Sequence, residues 1–251
     1  MTFVLNVLHK DYSLLVADTL SGAAEDLTVT TGSVTITVPK GGTIEGFKKI
    51  RVSNDQKLAL AFSGATNDHA YLESFSNTVN EVDAMRLLRN HMESRFDFNE
   101  RDKLLAGKGF MENSALLTFF DPKHEAFFST LSIWQPLSNA TDTRSGKAKP
   151  SPILLHIGSG SRKFEEAVGK NEISAFISSL ESDLSLEEQL KWIDMAFEKV
   201  SHVAAGCGMH YEAVLATRDD PLFRFVRTSS SFSCTAPEGG ETTMRIGKSD
   251  S

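Results

Sequence analysis

Thr2 is the residue at which chemistry is expected first. It follows Met1 directly, and an initiator methionine is normally trimmed when the second residue is small. Trimming would leave Thr2 with a hydroxyl and a free α-amine, a nucleophile and a base on one residue. An α-amine has a reference pKa of about 7.7 to 8.0, which suits proton transfer at neutral pH. The following residues read as an apolar run (Phe3, Val4, Leu5, Val7), a polar turn (His9, Lys10, Asp11) and a second apolar run ending in Val16-Ala17-Asp18. Such a hairpin brings the start of the chain to a sheet end with the Asp18 carboxylate nearby. Phe47-Lys48-Lys49-Ile50 then offers two ammonium groups. Alternate residues of a strand face opposite sides, so only one of the two lysines can face Thr2.

Other chemistries find little support. The seven histidines are scattered without a His-Glu-x-x-His spacing, and Cys207 and Cys234 do not form a metal-ligand pair or a disulfide framework, so both are read as free thiols. Neither a metal nor a cofactor is expected. Gly158-Ser159-Gly160-Ser161 is not a dinucleotide loop, because Lys163 stands where the third glycine is needed. A net charge of −7 and a pI near 5.5 disfavour a nucleic-acid partner, which would ask for a clustered basic surface. No stretch approaches the roughly 20 apolar residues that span a bilayer, and the start lacks the basic region and apolar core of a signal peptide. A cytoplasmic protein without a membrane partner is expected.

The elements that must position these residues follow from period and punctuation. Strands are predicted at 2–8 and 12–18, and a second hairpin where Leu27, Val29, Val34, Ile36 and Val38 alternate with threonines around Thr31-Gly32-Ser33. A short strand around 48–52 leads to the apolar strand 57–62. Two helices are predicted at 66–80 and 82–96, then a glycine-containing connection over 99–113. Strands 115–120 and 125–132 turn at Asp121-Pro122-Lys123. Residues 138–151 read as the most evident loop, before a strand at 153–157. Helices are predicted at 162–168, 171–182 and 186–203, the last opened by Ser185 with Glu188 three residues on, a capping-box pattern. Strands near 210–217 and 222–227 complete the core. With 251 residues the chain suits one large domain, read as 1–227 with a hairpin insertion at about 23–46, followed by a tail at 228–251 that is expected to be extended or mobile. This order of strands and helices suits two antiparallel sheets packed face to face with helices on both outer faces, a four-layer α/β/β/α sandwich.

Thr2, Val16-Ala17-Asp18, Lys48-Lys49-Ile50-Arg51, Ala61-Phe62-Ser63-Gly64-Ala65 with Asp68, and Ile157-Gly158-Ser159-Gly160-Ser161 occur in this order. Together they resemble the proteasome β-type subunits, a family of N-terminal-nucleophile hydrolases, and within it the bacterial branch that includes HslV. The resemblance runs from Thr2 to about Arg227. It implies the Ntn-hydrolase fold and the following roles. Thr2 is the nucleophile, with its amine accepting the proton directly or through water. Lys49, second of the lysine pair and next to the β-branched residue, is the catalytic lysine whose ammonium favours the alkoxide. Asp18 is its counter-charge, since an unpaired buried ammonium is costly. Gly64 gives the backbone amide of the oxyanion hole, and Ser159 approaches the nucleophile's amine. By register, Phe47, Phe62 and Thr66 would line the substrate pocket, with Phe62 at its floor and an apolar preference as the result.

Two departures from the family pattern stand out. The chain is longer between Asp18 and Lys49, and the excess is the Thr28 to Val38 hairpin. The supporting Asp and Ser expected after the last long helix have no match in Val200-Ser201-His202-Val203-Ala204-Ala205-Gly206-Cys207, which leaves Ser201 or Cys207 as substitutes. The resemblance implies a threonine-type peptidase in a homo-oligomeric double ring, acting on peptide or unfolded-protein substrates, with an ATP-dependent unfoldase as a further partner. The alternatives are a catalytically weak or inactive ring scaffold, or a related amidase acting on small molecules.

Overall fold

A computed structural model of the chain describes residues 2–22, 26–31, 34–63, 74–94, 113–135, 140–182, 184–204, 206–228, 233–237 and 243–246. Strands β1 (Val4–Leu8) and β2 (Tyr12–Asp18) form the first hairpin, closed by the His9 amide donating to Tyr12 O at 2.9 Å. Strands β3 (Ser21–Gly22), β4 (Leu27–Thr31), β5 (Val34–Val38) and β6 (Thr43–Glu45) follow, with β4 and β5 pairing as the expected second hairpin. Strands β7 (Ile50–Val52) and β8 (Leu58–Ser63) pair next. Helix α1 (Glu81–Ser94) is the second of the two expected helices; residues 66–73 of the first lie outside the described residues. Asn80 caps α1, its side-chain oxygen accepting from the Asp83 amide at 2.9 Å, and this satisfies one of the orphan donors of the first turn.

Strands β9 (Ser114–Asp121), β10 (Ala126–Gln135) and β11 (Ala140–Lys147) form a meander. The third strand corrects the loop expected over 138–151. Its sequence, Ala-Thr-Asp-Thr-Arg-Ser-Gly-Lys, is polar because β11 is an outer strand whose side chains are largely exposed, and its threonines still suit a pleated backbone. An apolar period was never required there. Strand β12 (Ile153–Ile157) precedes α2 (Ser161–Val168), α3 (Lys170–Leu180) and α4 (Leu186–Val203). The capping box at Ser185 and Glu188 is formed in both directions. Strands β13 (Tyr211–Thr217), β14 (Arg224–Arg227), β15 (Ser233–Thr235) and β16 (Thr243–Ile246) complete the described elements.

Two five-stranded antiparallel sheets dominate, in the orders β12-β1-β2-β13-β14 and β11-β10-β9-β8-β7. The period of two divides their residues among three apolar clusters. Val4, Leu8, Leu15, Ala17 and Val214 of the first sheet share a cluster with Ile50, Ala59, Ala61, Leu116 and Phe127 of the second. The alternate residues Leu5, Val7, Leu14 and Val16 pack with Phe164, Phe176, Ile193 and Phe197 of α2, α3 and α4. Leu58, Leu60, Phe62, Ala115 and Leu117 pack with Ala84, Leu88 and Met92 of α1. The first cluster also holds polar rungs: Asn6 Nδ2 donates to Ser129 Oγ at 3.0 Å, and Ser13 Oγ meets Thr118 Oγ1 at 2.8 Å. Buried polar groups so paired fix one register between the sheets.

Two three-stranded sheets carry the hairpin region, ordered β15-β6-β3 and β16-β5-β4. The segment expected as an extended or mobile tail therefore contributes a strand to each, β15 pairing with β6 and β16 with β5. An outer strand offers unpaired amides and carbonyls, and this chain's own later residues satisfy them. Among the described residues, no helix is long and apolar enough to cross a membrane, and no group of three or more His, Cys, Asp or Glu side chains is placed to hold a metal ion.

Candidate active site

The pairing of β1 with both neighbours decides what surrounds Thr2. Val4 stands opposite Ile157 of β12, so the residues before β1 run beside the turn that follows β12. There the Thr2 amide nitrogen lies 3.2 Å from Ser159 Oγ, and the Gly160 amide donates to Thr2 O at 3.2 Å. Gly158 has φ of 91°, and a Cβ on it would stand 2.2 Å from Thr2 O and 3.0 Å from Ser63 Oγ. Only glycine allows this approach of the turn to both Thr2 and the end of β8.

On the other side, Val4 stands opposite Ala17 of β2, which sets Asp18 beside Phe3. The Phe3 amide donates to Asp18 Oδ1 at 2.8 Å, and the Asp18 amide donates to Phe3 O at 3.0 Å. Asp18 is fully buried, and its oxygens are taken up further by Lys49 Nζ at 2.8 Å and the Gly208 amide at 2.9 Å. Lys49 is 4% exposed, and its ammonium also donates to Leu20 O. An ion pair hidden this far from water needs such additional partners, because mutual attraction alone barely offsets desolvation. Lys48 is exposed. The structure thus brings Ser159 to the Thr2 nitrogen and Lys49 to Asp18, with the Phe3 amide joining Asp18 to the residue after Thr2.

The remaining expected residues divide. Gly64 and Thr66 lie outside the described residues. Phe62 occupies the face of β8 opposite to Ser63, buried among the residues packed on α1, with its ring edge-on to His91 at 5.9 Å between centroids. Phe47 is buried with Val38 and Ile44, and its amide donates to Thr19 O at 2.8 Å. Of the two candidate substitutes after α4, Cys207 reaches the site: its Sγ lies 3.8 Å from Ser159 Oγ. Burial, together with the charge of Asp18, pushes the Cys207 thiol above its usual range, so it stays protonated. Ser201 instead bonds back to Glu198 O at 2.7 Å within α4.

Two participants escaped the sequence. Gly208 supplies an amide to Asp18, for which no local signal exists. Glu212 accepts from the amides of both Lys49, at 3.0 Å, and Ile50, at 2.7 Å. Burial raises the Glu212 pKa, against the opposing effects of the Ile50 amide, the Arg51 charge, the Lys49 amide and the Lys48 charge. A lone acid inside the otherwise apolar run Tyr211-Glu212-Ala213-Val214-Leu215-Ala216 was the available clue. The arrangement thus holds the Thr2 nitrogen at a serine oxygen while the next residue, Phe3, is bonded to a buried carboxylate–ammonium pair.

No protein-family model and no curated protein matches the sequence. Among solved structures, the chain is similar to an Anbu (Gly-1) mutant from Hyphomicrobium sp. strain MC1, with 92% of this chain and 89% of that one aligned. The identity is 15% and the TM-score 0.49.

Proposed function

We propose that the chain is a threonine-type endopeptidase subunit of a proteasome-like, self-compartmentalising double ring in the cytoplasm. On this reading it has the Ntn-hydrolase four-layer α/β/β/α sandwich, and removal of Met1 exposes the Thr2 amine. The observation that carries the reading is the shared carboxylate: Asp18 Oδ1 accepts from the Phe3 amide and from Lys49 Nζ, tying the residue after Thr2 to a buried ammonium. The ordered motifs from Thr2 to Ser161 support it.

In the proposed reaction Thr2 Oγ1 adds to a peptide carbonyl carbon while its proton passes to the Thr2 amine. The carbonyl oxygen takes the negative charge and is met by the Gly64 amide. The amine then returns the proton to the leaving nitrogen as the C–N bond breaks. The acyl group remains as an ester on Thr2, which water hydrolyses with the amine again as base. Lys49 lowers the cost of the developing alkoxide, and Ser159 orients the amine. Peptides or unfolded proteins are the substrates, with Phe47, Phe62 and Thr66 as pocket residues and an ATP-dependent unfoldase as partner.

Intact-protein mass after incubation with a threonine-directed electrophile tests the reading. A single adduct on Thr2, absent in Thr2→Ala, is expected once Met1 is shown to be gone. No adduct on such a protein refutes it.

A further inference from the structure

We propose that Glu212 is a positioning residue for Lys49, an inference that rests on the reading of Lys49 as the catalytic lysine. In β13, Tyr211 and Ala213 pack toward the helices, whereas Val214 and Ala216 face the second sheet. Glu212 shares the parity of Val214 and Ala216, so its carboxylate enters the apolar layer between the sheets, where it is 2% exposed. One oxygen there, Oε1, accepts from two successive amides, those of Lys49 and Ile50. Two adjacent amides converging on one atom fix the peptide orientation between them. The Lys49 carbonyl is held separately, accepting from the Phe62 amide at 3.3 Å.

The ladder between β13 and β2 explains why this matters for the side chain. Tyr211 stands opposite Asp18 and Glu212 opposite Ala17, so the two carboxylates that hold Lys49 come from neighbouring rungs of one strand pair. Asp18 takes the ammonium and Glu212 takes the backbone. The lysine is gripped at both ends by the same rigid ladder, although it leads into β7 of the other sheet. Losing the backbone grip would let the Lys49 Cα shift while the Asp18 partner stays in place, and misplacement on the scale of 1 Å is enough to slow a positioned reaction strongly.

Wild type, Glu212→Gln, Glu212→Ala, Lys49→Ala and the Glu212→Ala/Lys49→Ala double variant are compared, each with its melting curve. The rate of adduct formation on Thr2 is one readout, and hydrogen exchange of the segment 47–52 is the other. Glu212→Gln keeps an oxygen that can accept both amides, so its rate should remain within about threefold of wild type and its amides protected. Glu212→Ala should lose about tenfold or more in rate, and its segment 47–52 should exchange freely. In the Lys49→Ala background the same change should cost almost nothing further, because a group that acts only through Lys49 is not additive with its removal. Additive losses, or a Glu212→Ala protein with the wild-type rate, overturn the proposal. If Glu212→Ala fails to fold, Glu212→Gln decides alone, and a folded Glu212→Gln protein that loses rate or protection overturns it. Rapid exchange at 47–52 in wild type also overturns it, whatever the activity. Protection present in wild type and lost in Glu212→Ala, without any Thr2 adduct in wild type, would count against the peptidase reading while leaving the clamp in place.

Discussion

Lys49 Nζ and Asp18 Oδ1 meet at 2.8 Å in the interior, and that oxygen also receives the amide of Phe3. The chain thus links the residue following Thr2 to the ammonium of the residue that leads into β7, through a single acceptor atom. Both partners are buried, so neither screening nor hydration readily replaces a lost contact.

Asp18→Ala should therefore be strongly destabilising. Removing one member of a buried pair leaves the other charge uncompensated, at a cost of about 3–5 kcal/mol, and the Phe3 and Gly208 amides lose their acceptor as well. Chemical denaturation of the variant against wild type measures this; equal stability would mean that Lys49 is not held as described.

Lys49→Ala should reduce the rate of acylation at Thr2 by about 10² or more, the lower range for a positioned proton-transfer group. Lys48→Ala should leave it within a factor of about two, because the Lys48 side chain is exposed. The contrast between the two, read with the same electrophile, checks the register directly. An inactive Lys48→Ala with an active Lys49→Ala would reverse the assignment.

Gly158→Ala should damage both stability and activity. A Cβ at φ of 91° is strained by about 1–3 kcal/mol, and it would collide with Thr2 O at 2.2 Å. The melting temperature should fall and the Thr2 adduct should form slowly. An unchanged rate in a folded Gly158→Ala protein would show that the turn does not press on Thr2.

Cys207 should be slow to alkylate with iodoacetamide at pH 8, because its raised pKa keeps the thiol protonated. Cys207→Ser should keep or increase the Thr2 acylation rate, since a hydroxyl is a better hydrogen-bond partner for Ser159 than a thiol. A large fall in rate would give the sulfur a role of its own.

Stability should decline on mild acidification through His156. Burial holds this imidazole below its usual range, with the Glu165 charge only partly opposing, and its Nδ1 lies 2.6 Å from Ser161 Oγ. The unfolded chain then binds the proton more readily than the fold. The stability is fully present above about pH 6.5 and is lost as the pH falls through that value toward the lowered folded pKa. Melting temperatures at several pH values should fall less steeply for His156→Gln than for wild type, and identical slopes would remove His156 as the source.

What the sequence determined by itself is most of the buried elements of the two large sheets and the helices that pack on them. The apolar runs of β1, β2 and β8, the threonine-spaced hairpin of β4 and β5, and the Ser185 capping box each follow from local composition, local periods and local hydrogen bonds, so they were legible residue by residue. The candidate residues Thr2, Asp18, Lys49 and Ser159 were named from sequence too. The sequence could not say that 140–147 forms a strand or that 233–235 and 243–246 do, because their partners lie on distant strands and an outer strand needs no apolar period. Nor could it choose Cys207 over Ser201, or find Gly208 and Glu212. Those choices depend on where strands dock: Ser159 reaches Thr2 across 157 positions of sequence and Glu212 reaches Lys49 across 163. Only the registers of β1 with β12 and of β2 with β13 bring such residues within hydrogen-bonding distance, and register is fixed by packing of both sheet faces at once.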